Sequence, residues 1–113
     1  MKNNNMIMLD KDQVRNLRNN YSLSLDDFSK IIGCAKKTLI SYEQGQSVPN
    51  DSYMITLKTL DANPGFIYYL INSNKERFTD KELNRILKKL NMSLNNNYIM
   101  LDNINKNTLY MFK

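Results

Sequence analysis

Leu23-Ser-Leu-Asp-Asp-Phe-Ser-Lys-Ile-Ile-Gly33-Cys-Ala-Lys-Lys-Thr-Leu-Ile-Ser-Tyr-Glu43-Gln-Gly45 is the stretch that decides how this chain folds. Ser24 is a good N-cap, Asp26 and Asp27 suit the first turn of a helix, and Phe28, Ile31 and Ile32 repeat on one helical face. Gly33 stands where a chain leaving a helix needs a left-handed residue. A second helix is predicted over Lys36 to Gln44, with Leu39 and Tyr42 inward and Gly45 ending it. Two short amphipathic helices joined by a tight glycine turn have the shape of a helix-turn-helix. Lys36 and Lys37 at the start of the second helix suit the DNA major groove.

Outward from this stretch, Asp10 or Asp12 is placed to cap a first helix through about Tyr21, with Val14, Leu17 and Tyr21 on one face. Pro49-Asn50-Asp51-Ser52 announces a fourth helix, whose Met54, Leu57 and Leu60 are spaced for burial. Ala62-Asn63-Pro64 ends it, and proline at a first helical position starts a fifth helix through about Asn72. The fold class read from this pattern is mainly α: a compact five-helix domain over residues 1–73.

Residues 74–113 read as an extension. A polar hinge, Asn72 to Arg77, precedes the capping box Thr79-Asp-Lys-Glu82, and Leu83, Ile86, Leu87 and Leu90 form a helix face over 79–90. The apolar runs Tyr98 to Leu101 and Leu109 to Phe112 suggest a hairpin over 98–112. An internal echo is also present: Asn3 to Asp10 matches Asn95 to Asp102 at seven of eight positions. Compositional bias is the preferred explanation, since the chain holds 18 asparagines; the alternative is two short strands that pair within or between subunits.

Composition excludes several classes. The chain has 113 residues and no apolar run approaching the roughly 20 residues of a membrane span. Its N-terminus lacks the apolar centre of a signal peptide, and the lone Cys34 offers neither a disulfide nor a zinc set, so a cytoplasmic location is expected. With no histidine the commonest general base is missing; the acids Asp26, Asp27, Asp80 and Glu82 stand at helix starts, where the dipole explains them. No enzyme activity, metal or cofactor is expected. The net charge of +5 is uneven: residues 1–73 carry 8 Lys/Arg against 7 Asp/Glu, whereas residues 74–113 carry 8 against 4.

From Val14 to Gly45 the chain resembles the lambda Cro/C1 (XRE-type) helix-turn-helix family. The resemblance rests on Leu23-Ser24-Leu25-Asp26-Asp27-Phe28-Ser29-Lys30-Ile31-Ile32-Gly33 and on Ser41-Tyr42-Glu43-Gln44-Gly45-Gln46-Ser47-Val48-Pro49. It implies a lambda-repressor-like fold and a structural ion pair between Arg18 and Glu43 that pins the third helix. It also places base reading on Lys36, Lys37, Ile40 and Ser41, with Thr38, Gln44 and Gln46 on phosphates. Lysines suit guanine acceptors or phosphates, Ser41 can donate or accept, and Ile40 suits a thymine methyl. Val48 to Ser52 and Thr56 to Phe66 are similar to the branch of HigA- and MqsA-type antitoxins, which implies a dimeric repressor of its own operon and a possible toxin partner.

Two departures stand out. Leu25 replaces the glutamine that often opens the second helix and contacts phosphate, and Ala35 replaces the Ser or Thr that usually caps the third. Arg77, Lys81, Arg85, Lys88 and Lys89 are candidates to compensate. The leading expectation is a sequence-specific, homodimeric DNA-binding repressor on an inverted-repeat operator. The dense run Phe66 to Ile71 suggests part of the dimer surface. The alternative is a protein-binding module that uses the helix-turn-helix as a scaffold, with residues 74–113 holding a toxin or another protein.

Overall fold

Local capping sets the helix boundaries. In a computed structural model describing residues 8–95, six α-helices follow one another, with no strand among the described residues. Helix α1 (Lys11–Asn20) starts at Asp10, whose carboxylate accepts from the Gln13 N–H at 2.8 Å while the Gln13 side chain accepts from the Asp10 N–H at 2.9 Å. This capping box satisfies amides that a helix start leaves orphaned. Helix α2 (Leu25–Ile32) is capped by Ser24 and leaves through Gly33 at φ 85°. Helix α3 (Lys36–Gln44) leaves through Gly45 at φ 76°. Both glycines occupy the left-handed region, where a Cβ is strained.

Asn50 caps helix α4 (Asp51–Ala62), its side-chain oxygen accepting from the Tyr53 N–H at 3.0 Å. Helix α5 (Phe66–Ser73) starts two residues later than Pro64 suggests. The Phe66, Ile67 and Tyr68 amides donate three residues back, to Asn63, Pro64 and Gly65, so the entry is wound more tightly than an α-helix. A single 3-10 turn (Lys75–Arg77) leads to helix α6 (Asp80–Asn95), which runs past Leu90 because neither Gly nor Pro stops it. The Thr79–Glu82 capping box opens α6, with reciprocal bonds of 2.8 and 3.1 Å. The hairpin suggested over 98–112 lies outside the described residues, as does most of the echoed octapeptide. Of the latter, Leu9 packs partly against the core and Asp10 caps α1.

One apolar cluster joins all six helices. Phe28, Ile31, Leu39, Leu57, Leu60 and Ile67 are sealed from solvent, and so are Ile86 and Leu90 of α6. Each such side chain contributes about 1.5–3 kcal/mol by leaving water. The stripe on α6 is therefore filled within the chain. The same holds for most of the Phe66–Ile71 run: Ile67, Tyr68, Leu70 and Ile71 are buried, and Tyr69 is the residue left well exposed. Its apolar density reflects core packing on two sides of α5, with Phe66 and Tyr69 stacked at 5.5 Å on the outer side. No helix among the described residues is long and apolar enough to cross a membrane.

Candidate nucleic-acid interface

Helix α3 packs by one face and offers the other. Leu39, Tyr42 and Glu43 are buried. Helical spacing then places Lys37, Ser41 and Gln44 along the middle of the outward face, with Lys36 and Ile40 on one flank and Thr38 on the other. Lys36, Lys37, Gln44 and Gln46 are exposed; Thr38, Ile40 and Ser41 are half-buried. Ile40 is thus partly covered by its own chain rather than fully presented. The Ser41 and Ser47 hydroxyls share a hydrogen bond of 2.7 Å, which ties the outward face to the loop after α3. Nothing local in the sequence signals this role for Ser47.

The start of α3 has an open end. Ala35 occupies the cap with extended backbone and makes no side-chain cap bond. The first-turn amides of α3 consequently lack the acceptor that Ser or Thr supplies, and they stand beside Lys36 and Lys37.

The other end is held by two arginines from α1. Arg18 grips the Glu43 carboxylate with Nε to Oε2 at 2.8 Å and a terminal nitrogen to Oε1 at 2.9 Å. This fork-to-fork pairing is the geometry in which an arginine–carboxylate contact is strongest. Hydrogen bonding to Glu43 holds the Arg18 guanidinium above its ordinary range, against the opposing effect of burial. Arg18 also donates to the Leu23 carbonyl at 3.0 Å, so one side chain ties α1, the entry to α2 and α3 together. Arg15 adds a bond of 2.7 Å to the Glu43 carbonyl, in the last turn of α3, where a cation suits the helix dipole.

Two of the five basic residues considered as compensating DNA contacts are engaged inside the chain. Arg85 pairs with the buried Asp27 through bonds of 2.8 and 3.0 Å, and Arg77 donates to the Cys34 carbonyl at 3.0 Å. Asp27 thus does more than stabilise a helix dipole: it links α2 to α6. Lys30 reinforces that link at 3.0 Å from Glu82. The backbone N–H of Thr79, and then Lys30, hold the Glu82 carboxyl below its usual range. Lys81, Lys88 and Lys89 remain exposed on α6. Burial pushes the Cys34 thiol up, which keeps it a core side chain rather than a reactive thiolate.

Arg15 and Asn74 carry no expected role from the sequence, and Asp27, Arg77 and Arg85 make structural contacts in place of the dipole and compensating DNA roles expected of them. Arg15 lies one helical turn before Arg18, which is a usable signal; the others contact residues more than forty positions away.

Neither a family model nor a solved structure matches the chain. Among curated proteins, the chain is similar to Antitoxin HigA-2 of Vibrio cholerae, at 30% identity over 53 residues that make up 47% of this chain and 51% of that protein. It therefore spans about half the length of that relative, and the likeness is to an antitoxin over that shared half.

Proposed function

We propose that this chain is a sequence-specific DNA-binding transcriptional repressor of the lambda Cro/C1 (XRE-type) helix-turn-helix family, acting as a homodimer on an inverted repeat in its own operon, in the manner of an antitoxin or phage regulator. The observation that carries this reading is helix α3. It is clamped through Leu39, Tyr42 and Glu43 while Lys37, Ser41 and Gln44 face outward beside an uncapped, lysine-flanked N-terminus. A short helix of that chemistry suits the major groove, and two copies would read successive grooves about 34 Å apart. Lys36, Lys37, Ile40 and Ser41 read bases; Thr38, Gln44 and Gln46 hold phosphates. The likeness to an antitoxin supports the same reading and adds a toxin as a candidate protein partner.

A gel shift with the DNA upstream of its own gene tests the proposal. Wild type retards that DNA with affinity that falls steeply as salt rises, whereas Lys36→Ala with Lys37→Ala abolishes the shift and leaves the helical fold intact. A double variant that shifts DNA as well as wild type removes α3 from the reading role.

A second reading, a protein-binding module built on the same scaffold, draws on the exposed Ile55, Tyr69 and Met92 and on the near-neutral charge of residues 1–73. Under that reading binding is insensitive to the lysine substitutions and only weakly dependent on salt.

A further inference from the structure

The turn between α2 and α3 sets the direction in which α3 points, and the Gly33 and Cys34 amides close it by donating to the Ser29 carbonyl at 2.9 and 3.0 Å. Gly33 has a left-handed backbone, and Ala35 makes no cap bond. Several of the turn's carbonyls also accept from donors beyond the two helices. The Tyr53 hydroxyl of α4 donates to the Gly33 carbonyl at 3.1 Å. The Asn74 side chain, at the end of α5, donates to the Ile31 carbonyl at 2.9 Å. One terminal nitrogen of Arg77 reaches the Cys34 carbonyl at 3.0 Å and the other the Ser29 carbonyl at 3.5 Å. The Ile31, Gly33 and Cys34 carbonyls thus find side-chain partners here, while the Ser29 carbonyl also accepts from the Gly33 and Cys34 amides at 2.9 and 3.0 Å. The cationic partner also lies at the C-terminal end of α2, where the helix dipole favours it.

We infer that Arg77, together with Tyr53 and Asn74, is a positioning residue for DNA reading: it locks the α2–α3 turn and so fixes the angle at which α3 meets the bases. This inference rests on the DNA-binding reading of α3. It assigns Arg77 a role different from phosphate contact, because the guanidinium is aimed at backbone carbonyls of the turn. It also gives the Tyr53 hydroxyl a role that burial of its ring does not require. A Cβ at Gly33 would come within 3.4 Å of Asn74 and 3.8 Å of Arg77, so the bracket closes directly over the turn.

The probe is a duplex enriched from a random-sequence pool by the wild-type full chain, with a mixed-sequence duplex as reference. Arg77→Met, Arg77→Lys, Asn74→Ala and Tyr53→Phe are titrated at several salt concentrations, well below their melting temperatures. Positioning predicts a roughly 2- to 30-fold loss of affinity for the enriched duplex in Arg77→Met. Tyr53→Phe, which removes a single bond, shows a smaller loss of the same kind. The salt slope and the affinity for mixed-sequence DNA stay as in wild type, and Arg77→Lys recovers part of the loss. If Arg77→Met instead lowers the salt slope by about 1 and weakens both duplexes alike, Arg77 touches phosphate and the inference is overturned. It is equally overturned if the variants melt lower yet keep full selectivity. Should wild type enrich no duplex at all, the DNA-binding reading itself fails, a result distinct from either of these.

Discussion

Replacing Arg18 with methionine strands the Glu43 carboxylate beneath α1. The Glu43 side chain is 6% exposed and that of Arg18 is 16% exposed, so the pair is largely withdrawn from water. Breaking one side of a buried ion pair costs about 3–5 kcal/mol, because the remaining charge stays desolvated. Two features reduce that here. Arg15 keeps its Nε 3.9 Å from Glu43, and Arg18 retains some solvent that screens its charge. The expected loss is therefore about 2–3 kcal/mol, which for a domain of this size lowers the melting temperature by roughly 10–20 °C. Adding Glu43→Leu removes the stranded carboxylate and brings stability back to within about 1 kcal/mol of wild type. Urea unfolding followed by circular dichroism, on wild type, both single variants and the double, measures the coupling directly. If Arg18→Met unfolds within about 0.5 kcal/mol of wild type, or the double variant merely adds the two single losses, the pair does not anchor α3.

Gly33→Ala forces an alanine to φ 85° and should destabilise by about 1–2 kcal/mol in a chemical melt; no loss would mean the turn relaxes out of the left-handed region. Ile86→Ala opens a cavity in the common core and should cost about 2–5 kcal/mol, with hydrogen exchange accelerated in α2 and α5 as well as in α6. Exchange that accelerates in α6 alone would show that this helix unfolds independently. Burial pushes the Tyr68 hydroxyl up to about 12 from 10.0, so the unfolded chain ionises first as pH rises. The share of stability that Tyr68 contributes is then intact below about pH 10 and falls between pH 10 and 12, and Tyr68→Phe should flatten that part of the fall in alkaline melts. An unchanged alkaline limb in the phenylalanine variant would show that Tyr68 carries none of it.

Features with a local cause were legible in the chain. Ser24, Asn50, the Thr79–Glu82 box and the glycines at 33 and 45 act within three or four residues, so their signals lie side by side in sequence. Periodic stripes likewise marked Val14, Leu17, Phe28, Ile31 and Leu39 as inward-facing. What a stripe packs against was not legible. The spacing of Ile86 and Leu90 states that α6 has a buried face and says nothing of the partner, which is the core shared with α2 to α5. Asp27 was ambiguous for a related reason: an acid in the first turn of a helix has a sufficient local explanation, and Arg85 lies 58 residues away. Asn74 and Arg77 sit in a polar stretch that reads as a hinge. Their value lies in reaching back to the Ile31 and Cys34 carbonyls, a long-range contact that leaves no period in the sequence.

Everything proposed for α3 depends on whether its outward face reads DNA. The decisive measurement is the affinity of wild type and of the Lys36→Ala, Lys37→Ala variant for the enriched duplex as a function of salt, paired with thermal melts of both proteins. Both lysines are exposed, so the melts should coincide. If that face reads DNA, the variant loses about 2 kcal/mol or more of binding, at least roughly 30-fold, with a shallower salt dependence. Equal affinity and equal salt slope for the two proteins would contradict it.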